Sequence, residues 1–316
     1  MLHLFVLNPV AGGGRRTEEA RAEIKRVMGK SGLNWALYET TGRLDATRKV
    51  LEAAEGGAPL RVYACGGDGT LNECINGAVG KNHVAVTHFP TGTGNDFIKT
   101  FDQGKEHFFQ LERLLEGREM TIDIIEAGER YGINICSVGL DARIGADVHK
   151  YSGLPLIGGK TAYVVSLLAN LILGIAQEFE VEIAGMKLRR KFTLICACNG
   201  RSYGGSFNPV PEAIPDDGQM EVLLVDKVSR ARVLSLVKRY AQGKYREVPK
   251  LITHYRTERL TIRGDREFVI NVDGEILRQK EVSFRLLPAA VNFFAPLEAA
   301  FSRRDVSQSG ETVKVG

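Results

Sequence analysis

The sequence lacks the features of a membrane-spanning or secreted protein. A membrane helix needs about 20 consecutive apolar residues, and no stretch of this sequence approaches that length. The longest apolar run, at 162–176, is interrupted by Ser166 and Asn170, so it predicts a buried amphipathic helix instead. The first ten residues, MLHLFVLNPV, lack the basic start and the long apolar core of a signal peptide.

Cysteine is scarce, and its spacing excludes the common zinc motifs. The five cysteines are an odd number without metal-ligand spacing. Cys196 and Cys198 lie two positions apart in an apolar run, which predicts that both face the same side of a strand. We therefore expect a reduced, cytoplasmic protein. The net charge of +4 is small and the basic residues are dispersed, so no nucleic-acid partner is expected.

Two common nucleotide-binding motifs are also missing. No GxGxxG fingerprint follows the first apolar strand. The segment LPLIGGKT at 154–161 differs from a Walker A loop because Leu154 occupies the place of the first glycine. Any phosphate-binding site must therefore be of another type.

Glycine, by contrast, is abundant, with 35 residues, many of them in short clusters. The first 120 residues alternate apolar strands, glycine loops and helical segments, which is typical of a parallel sheet with crossover helices. From about Thr121, short strand-like runs separated by turns, among them RLTIRG at 259–264 and FVINVDG at 268–274, predict a second domain dominated by antiparallel sheet. Helical segments near 159–177 and 229–242 interrupt these runs.

We predict an α/β protein of two domains. The first is a nucleotide-binding domain over 1–122, completed by the C-terminal segment 289–302. The second is a β-rich domain over 123–288, which would bind the substrate. The polar tail, 303–316, is expected to be disordered.

Three glycine loops end strands of the first domain: NPVAGGGR at 8–15, GGDGTLNE at 66–73 and PTGTGNDF at 90–97. Such sheets bind ligands at the carboxyl ends of their strands, where backbone N–H groups can converge on phosphate oxygens. Asp68 and Asp96 then indicate a divalent cation, because carboxylates would otherwise repel the phosphates. Alternatively, each loop is only a tight turn with helix-capping Asp and Asn.

These motifs, in this order and spacing, resemble the diacylglycerol-kinase catalytic family, and within it the bacterial soluble lipid kinases. The resemblance covers roughly residues 3–295 and continues with IDI at 122–124, NICSVGLDARI at 134–144, PDDGQMEV at 215–222 and VDGE at 272–275. GGDGT alone is less specific, since NAD kinases carry it and phosphofructokinases a close variant. The resemblance implies an NAD-kinase-like nucleotide domain and a β-sandwich-like C-terminal domain, with the active site in the cleft between them.

The resemblance further implies ATP-dependent phosphorylation of a lipid hydroxyl, most simply that of diacylglycerol. Asp68 and Asp96 would be catalytic residues that organise the nucleotide and its Mg²⁺. Thr41 adjoins Thr40 and leaves that match open. The residues that would hold ATP are Asn8, Pro9, Val10, Ala11, Gly12, Thr40, Gly66, Gly67, Asp68, Gly69, Thr70, Leu71, Asn72, Glu73 and Thr93.

Glu275, in the segment NVDGE, matches the general base of the family. The chemistry needs such a group, because a lipid hydroxyl has a high pKa and must lose its proton as the phosphoryl group arrives. Without the resemblance, a carboxylate after an Asp-Gly turn is typical of a solvated hairpin residue.

The segment AIPDDGQM resembles the structural magnesium site of the family. Asp217 would supply a carboxylate, and Ile214 and Gln219 would supply carbonyl oxygens, which suits a hard cation. Asp216 is adjacent, so the choice of Asp217 depends on alignment to DG. Asp123 and Asp141 also occupy family positions that would support this metal, and both are equally explained as turn or cap residues.

Two other functions stay open at this point. An NAD kinase would explain GGDGT but leaves PDDG and the lipid-kinase form of VDGE unexplained. A non-catalytic lipid- or nucleotide-binding protein would keep the fold, although intact Asp68, Asp96 and Glu275 argue against a decayed site.

The expected partners are ATP and a lipid at the membrane surface, reached by reversible peripheral association. A homodimer is also plausible for the family. Basic residues near the cleft would favour contact with anionic lipids, and Arg15, Arg16 and Lys160 are the candidates. Each of the three is equally explained as an ordinary solvated charge.

Overall fold

The computed structural model describes residues 1–152, 175–205, 207–302 and 314–315. The predicted helix at 162–176 lies almost wholly outside the described residues, as do Lys160 and the altered Walker-like loop at 154–161. Within the part of the chain that the structure describes, no helix has both the length and the apolar character that a membrane crossing requires.

The first 100 or so residues form the predicted parallel sheet. Its strands are continuous apolar runs, and β3 and β4 are buried almost throughout, as in a sheet covered on both faces. The strand order is β2-β1-β3-β4, and every neighbouring pair is parallel. The elements are β1 (Leu2–Leu7), α1 (Arg15–Ser31), β2 (Trp35–Glu39), α2 (Asp45–Ala54), β3 (Leu60–Gly66), α3 (Asp68–Ala78), β4 (Val84–Pro90) and a short α4 (Leu111–Leu115).

The rest of the chain is mainly antiparallel sheet with two described helices. The order β11-β10-β9-β7-β12-β13 is joined by β8, which pairs with β9 and β12, and by β5, which pairs with β13. The elements are β5 (Arg118–Ala127), β6 (Arg130–Gly132), β7 (Ile135–Gly139), α5 (Leu140–Ser152), β8 (Gln177–Ile183), β9 (Met186–Cys198), β10 (Met220–Asp226), α6 (Arg230–Ala241), β11 (Ile252–Thr257), β12 (Arg259–Val272), β13 (Glu275–Ala295) and β14 (Lys314–Val315).

Strand β9 shows how the β-rich part builds two cores. Ile195 and Ala197 face one core, which lies among the strands, while Cys196 and Cys198 face a second core shared with α5 and α6. This is the period-2 alternation of a strand buried on both faces. The Sγ atoms of Cys196 and Cys198 lie 3.3 Å apart, which confirms that the two side chains share a face.

Strand β13 belongs to both sheets. Its first part pairs with β12, while Asn292 and Phe293 pair in parallel with β4. Phe293 packs among Phe97, Phe101 and Phe108 in the core of the parallel sheet. Burying one such side chain contributes roughly 1.5–3 kcal/mol. The C-terminal segment is therefore held firmly on the first sheet, although the domain boundaries themselves stay predictions.

The fold class, α/β followed by a β-sandwich-like region, is confirmed. Three local details differ from expectation. The runs RLTIRG and FVINVDG are one strand, β12, whose register shifts between Arg263 and Phe268. Helix α5 and strand β11 were not predicted. Within the tail, Lys314–Val315 pairs in parallel with β11, whereas 303–313 lie outside the described residues.

Candidate active site

The three glycine loops meet at the carboxyl ends of β1, β3 and β4. Gly12 in the first loop has φ +57°, and a Cβ there would overlap the carbonyl oxygen of Thr91 in the third loop. A Cβ on Gly92 would overlap Cα of Gly67 in the second loop. The loops thus touch through bare backbone, which glycine permits and larger residues would prevent.

A cavity of about 290 Å³ opens between these loops and the start of α2. Backbone and small side chains form most of its wall, and Glu73 is the one ionisable residue among the described residues that line it. Helix α3 begins directly after Gly67, so its free N–H groups lie at the second loop, an arrangement that binds phosphate. The lining residues are Asn8, Ala11, Gly12, Thr40, Gly42, Ala46, Gly67, Gly69, Thr70, Glu73 and Gly92.

The other residues predicted to hold ATP belong to the same segments but do not line the cavity. Leu71 is fully buried in the core, and Val10 is 79% exposed. Thr93 is exposed and Pro9 is half-buried. The carbonyl of Gly66 accepts the N–H of Thr91 and so joins the second loop to the third.

Thr40 and Thr41 differ in their surroundings. Thr40 lines the cavity, whereas the N–H and Oγ1 of Thr41 donate to Oδ2 of Asp45 at 2.8 and 2.9 Å. The Thr41 N–H is the main reason why the pKa of Asp45 is well below its usual range. Because Thr41 already holds Asp45, Thr40 is the better candidate for the nucleotide contact.

Asp68 and Asp96 form an acidic pair at the second and third loops. Asp96 is buried and Asp68 is half-buried, and the N–H of Asp96 donates to Oδ1 of Asp68. Burial, followed by the charge of Asp96, raises the pKa of Asp68. Lys99 Nζ lies 2.6 Å from Oδ1 of Asp96, and the N–H of Gly205 donates to Oδ2 at 2.9 Å. Two carboxylates beside a phosphate site suit Mg²⁺, which binds one or two carboxylates together with phosphate oxygens.

Glu275 begins β13 and faces the loop between β2 and α2. Nε of Arg43 donates to Oε2 of Glu275 at 3.0 Å, and Nη2 of the same guanidinium contacts that oxygen too. Gly42, the neighbour of Arg43, lines the cavity between the glycine loops. The predicted base, Glu275, is thus connected through its ion pair with Arg43 to the loop that forms part of the wall of that cavity.

The turn before Glu275 is fixed by Asp273. Its carboxylate accepts the backbone N–H groups of residues 133–135, and Nδ2 of Asn72 donates to it at 3.1 Å. Burial raises the pKa of Asp273 to about 6, although these hydrogen bonds lower it. Asn72 lies on α3, so it connects the hairpin of Glu275 to the helix that follows the second glycine loop.

The loop predicted as a structural metal site precedes β10 and contains Ile214, Asp217 and Gln219. Oδ1 of Asp217 accepts the N–H of Gln219 at 3.0 Å, and Oδ2 contacts the guanidinium of Arg256 on β11. Burial raises the pKa of Asp217 to about 6, against the lowering effect of Arg256. Nε of Arg256 also lies 3.0 Å from Oε1 of Glu221.

Asp123, expected to support that metal, is likewise engaged. Its two carboxylate oxygens accept the N–H groups of Gly218 and Ala289, each at 2.8 Å. Asp217 and Asp123 therefore fit a structural cation poorly in this arrangement, because Arg256 already supplies a positive charge and backbone donors occupy the remaining oxygens.

No group of three or more His, Cys, Asp or Glu side chains is placed to hold a metal by itself, as far as the described residues extend. Asp68 and Asp96 would hold Mg²⁺ together with oxygen ligands from ATP, with Lys99 displaced from Asp96. When bound there, Mg²⁺ would neutralise phosphate charge.

A second cavity, of about 50 Å³ and mostly apolar, lies between α5, β9, β10 and α6. Leu140, Ile144, Val233 and Leu236 are among the residues that line it. Asp141 also lines it.

The Asp141 carboxyl is buried at the wall of this apolar cavity. Its Oδ2 accepts the hydroxyl of Ser137 at 2.8 Å. Burial raises the pKa of Asp141. A buried carboxyl of this kind gives the apolar cavity a polar end.

The apolar cavity adjoins the acidic pair through one loop. Tyr203 and Phe207 line the cavity and are paired through their backbones. Gly205, between them, donates its N–H to Asp96. This loop therefore connects the wall of the apolar cavity to Asp96 by one hydrogen bond.

Sequence reasoning missed several charged residues of the site. Lys99 stands three positions after Asp96, a helical spacing that could have suggested the pair. Arg43 follows Thr40 closely, but its partner is 232 positions away. Arg256 meets Asp217 only through the register of β10 and β11, which the sequence does not reveal.

Comparison with known proteins identifies the family to which this chain belongs. Residues 3–127 match the diacylglycerol kinase catalytic domain, and residues 134–295 match the YegS C-terminal NAD kinase beta sandwich-like domain. The chain thus belongs to the diacylglycerol kinase family of lipid kinases, with a YegS-type C-terminal domain. It is therefore a phosphotransferase of the lipid-kinase class.

Relatives and solved structures agree with this family. Proteins of Staphylococcus aureus strains JH9 and MRSA252, both named provisionally as lipid kinases, are each 26% identical over 231 residues, which is 73% of this chain and 75% of theirs. The structure of a diacylglycerol kinase from Bacillus anthracis strain Sterne has a TM-score of 0.70 at 19% identity and covers 93% of this chain and 97% of its own. At that identity the likeness shows the fold alone.

Proposed function

We propose that this protein transfers the γ-phosphoryl group of ATP to the hydroxyl of a lipid, with diacylglycerol as the expected acceptor and phosphatidic acid as the product. One observation carries the proposal. The loop that carries Tyr203 and Phe207 of the apolar cavity also donates the N–H of Gly205 to Asp96, so one hydrogen bond connects the wall of that cavity to the acidic pair at the glycine loops.

In the proposed reaction the lipid hydroxyl oxygen attacks the γ-phosphorus of ATP. The bond between that phosphorus and the β–γ bridging oxygen breaks, and ADP leaves with the bonding electron pair. Glu275 accepts the hydroxyl proton. Thr40, Thr70 and the glycine loops position the phosphates, while Asp68 and Asp96 organise them together with Mg²⁺. Catalysis then consists mainly of positioning and charge neutralisation.

The apolar cavity favours a lipid kinase over an NAD kinase, because NAD is polar and gains little from such a wall. Asp141 at that wall could accept a hydrogen bond from a hydroxyl of the lipid. A non-catalytic binding protein would not need the acidic pair beside the phosphate loops, whose mutual repulsion and burial are costly.

The acceptor class is tested by supplying ATP labelled at the γ-phosphate with a panel of lipids and NAD. Diacylglycerol, monoacylglycerol, undecaprenol, phosphatidylglycerol and a sphingoid base each offer a hydroxyl beside a long chain. We expect the label in the chloroform-extractable fraction with at least one lipid. Label on NAD alone would favour the NAD kinase.

The lipid cavity is tested by filling it. Val233→Phe adds volume between α6 and β10 and is expected to raise the KM for the lipid about tenfold, with the KM for ATP unchanged, because the ring would occupy space that the acyl chain needs. Lys238→Phe, on the exposed side of the same helix, is the matched control. Equal effects of the two variants on the lipid KM would place the acyl chain elsewhere.

We also propose a cytoplasmic enzyme that binds the membrane surface reversibly. Arg15 is the better of the two described candidates, because its side chain is 90% exposed beside the first glycine loop. Nη1 of Arg16 donates to the carbonyl of Gly92 at 3.2 Å, so it is turned towards the third loop. A homodimer stays a prediction.

Membrane contact is tested by sedimentation with phosphatidylglycerol vesicles and with phosphatidylcholine vesicles across a salt series. Arg15→Gln should weaken binding to the anionic vesicles about fivefold at low salt, since each basic residue contributes about 1 kcal/mol. Lys30→Gln, at the other end of α1, is the control. Equal binding of wild type to both vesicle types would contradict electrostatic docking.

A further inference from the structure

The ion pair of Arg43 with Glu275 joins the two halves of the proposed active site. Arg43 belongs to the loop between β2 and α2, and Glu275 begins β13. The Arg43 side chain is 63% exposed and that of Glu275 is 24% exposed, so the pair lies at the open side of the site. The hydrogen bond to Glu275 raises the pKa of Arg43 and keeps it charged.

The loop that carries Arg43 is held in place by Glu73. The two carboxylate oxygens of Glu73 accept the N–H groups of Leu44 and Ala46, at 2.9 and 3.1 Å. Leu44 has φ +64°, a left-handed conformation that a β-carbon makes costly, so the hydrogen bonds must sustain it. Glu73 also lines the cavity, but both of its carboxylate oxygens are engaged by this loop.

The hairpin that carries Glu275 is held by the preceding residue of the same helix. Asn72 donates to Asp273 of that hairpin. Neighbouring residues of α3, Asn72 and Glu73, therefore fix the two segments whose side chains meet as Arg43 and Glu275. Helix α3, which starts at the second glycine loop, thus carries both of the polar residues that hold these two segments.

The nucleotide cavity itself offers little positive charge. Among the described residues that line it there is no Lys or Arg. ATP is a polyanion, and during transfer negative charge is spread over the γ-phosphoryl oxygens, which cationic side chains stabilise. Arg43 follows Gly42 directly in the chain, and Gly42 lines the cavity. A rotation of the Arg43 side chain would therefore carry its guanidinium from Glu275 towards the phosphates.

We propose that Arg43 is a further catalytic residue, which binds the γ-phosphoryl group of ATP and rests on Glu275 when no nucleotide is bound. The inference depends on the function proposed above. When Arg43 turns to the γ-phosphate, Glu275 loses its cationic partner and its Oε2 becomes free to accept the lipid hydroxyl proton. Nucleotide binding thereby prepares the base only when the γ-phosphate is present.

The test compares the affinities for ADP and for a non-hydrolysable ATP analogue, measured by titration calorimetry with Mg²⁺. Arg43→Gln should weaken binding of the analogue about tenfold or more and leave the Kd for ADP within about twofold. Its kcat should fall by about 100-fold or more. Arg43→Lys, which keeps the charge, should restore part of the affinity for the analogue.

Arg285→Gln is the matched control. Arg285 lies on β13, the strand that Glu275 begins, and it forms an ion pair with Glu126 whose exposure is similar to that of the pair of Arg43 and Glu275. This variant should leave both affinities unchanged. Glu275→Gln should tighten binding of the analogue, since it releases Arg43, and the gain should vanish in the double variant Arg43→Gln/Glu275→Gln.

Equal changes in ADP and analogue affinity, or no change in either, would overturn the role of Arg43. Failure of the proposed function looks different, because the wild-type protein would then label no lipid of the acceptor panel, whatever its affinities for the two nucleotides. Melting curves for each variant confirm that it is folded at the temperature of the titration.

Discussion

Replacement of Glu275 by glutamine is expected to lower kcat by about 100-fold or more while ATP binding is not weakened. General-base removal has effects of this size, because the lipid hydroxyl must lose its proton as the new P–O bond forms. The amide keeps the shape of the side chain, and Asp273, which anchors the hairpin, is untouched.

The measurement is kcat for lipid phosphorylation at saturating ATP and lipid. Glu126→Gln is the matched control, since Glu126 also pairs with an arginine, Arg285, at similar exposure. It should retain full activity. If Glu275→Gln kept most of the wild-type rate, Glu275 would be only a hairpin residue.

Asp68→Asn is expected to reduce turnover by about three orders of magnitude and to weaken binding of Mg-ATP. Asp68 is a half-buried carboxylate at the glycine loops and is paired with the buried Asp96. Its charge contributes nothing to the apolar core, so we attribute its presence to the phosphates and their cation.

Asp217→Asn provides the comparison, because it removes a charge far along the chain from the glycine loops. It should break the pair with Arg256 and lower the melting temperature by about 5 °C, which corresponds to about 2 kcal/mol, while most activity remains. Since Arg256 occupies the carboxylate, Mg²⁺ without nucleotide should change the wild-type melting temperature little.

Melting curves and kcat for both variants, with Mg²⁺ and with EDTA, separate the roles. Identical behaviour of the two variants would argue against distinct catalytic and structural positions. A melting temperature that rises with Mg²⁺ in the wild type and not in Asp217→Asn would instead support the structural cation that the resemblance implies.

The sequence was sufficient for the glycine loops because each follows a buried apolar strand. That local pattern predicts where parallel strands end, and the carboxyl ends then bring distant segments to one edge. Gly12, Gly67 and Gly92 meet there through backbone contacts. The meeting of the three glycine loops at one edge could therefore be predicted without knowledge of side-chain packing.

The ion pairs could not be predicted in the same way. A single Arg43 or Arg256 in a sequence looks like an ordinary solvated charge, and its partner is fixed only by long-range packing. The break expected between RLTIRG and FVINVDG shows a similar limit. Gly264 and Asp265 are typical of a turn, but the chain absorbs them as an irregularity within β12.

The proposed reaction couples ATP to a lipid hydroxyl in one cleft, and the ratio of ADP formed to lipid phosphate formed tests this coupling most directly. In mixed micelles that contain diacylglycerol and γ-labelled ATP, we expect one labelled lipid phosphate for each ADP released. We further expect both products to disappear together in Asp68→Asn. ADP formed without any labelled lipid, across the whole acceptor panel, would contradict the proposed reaction.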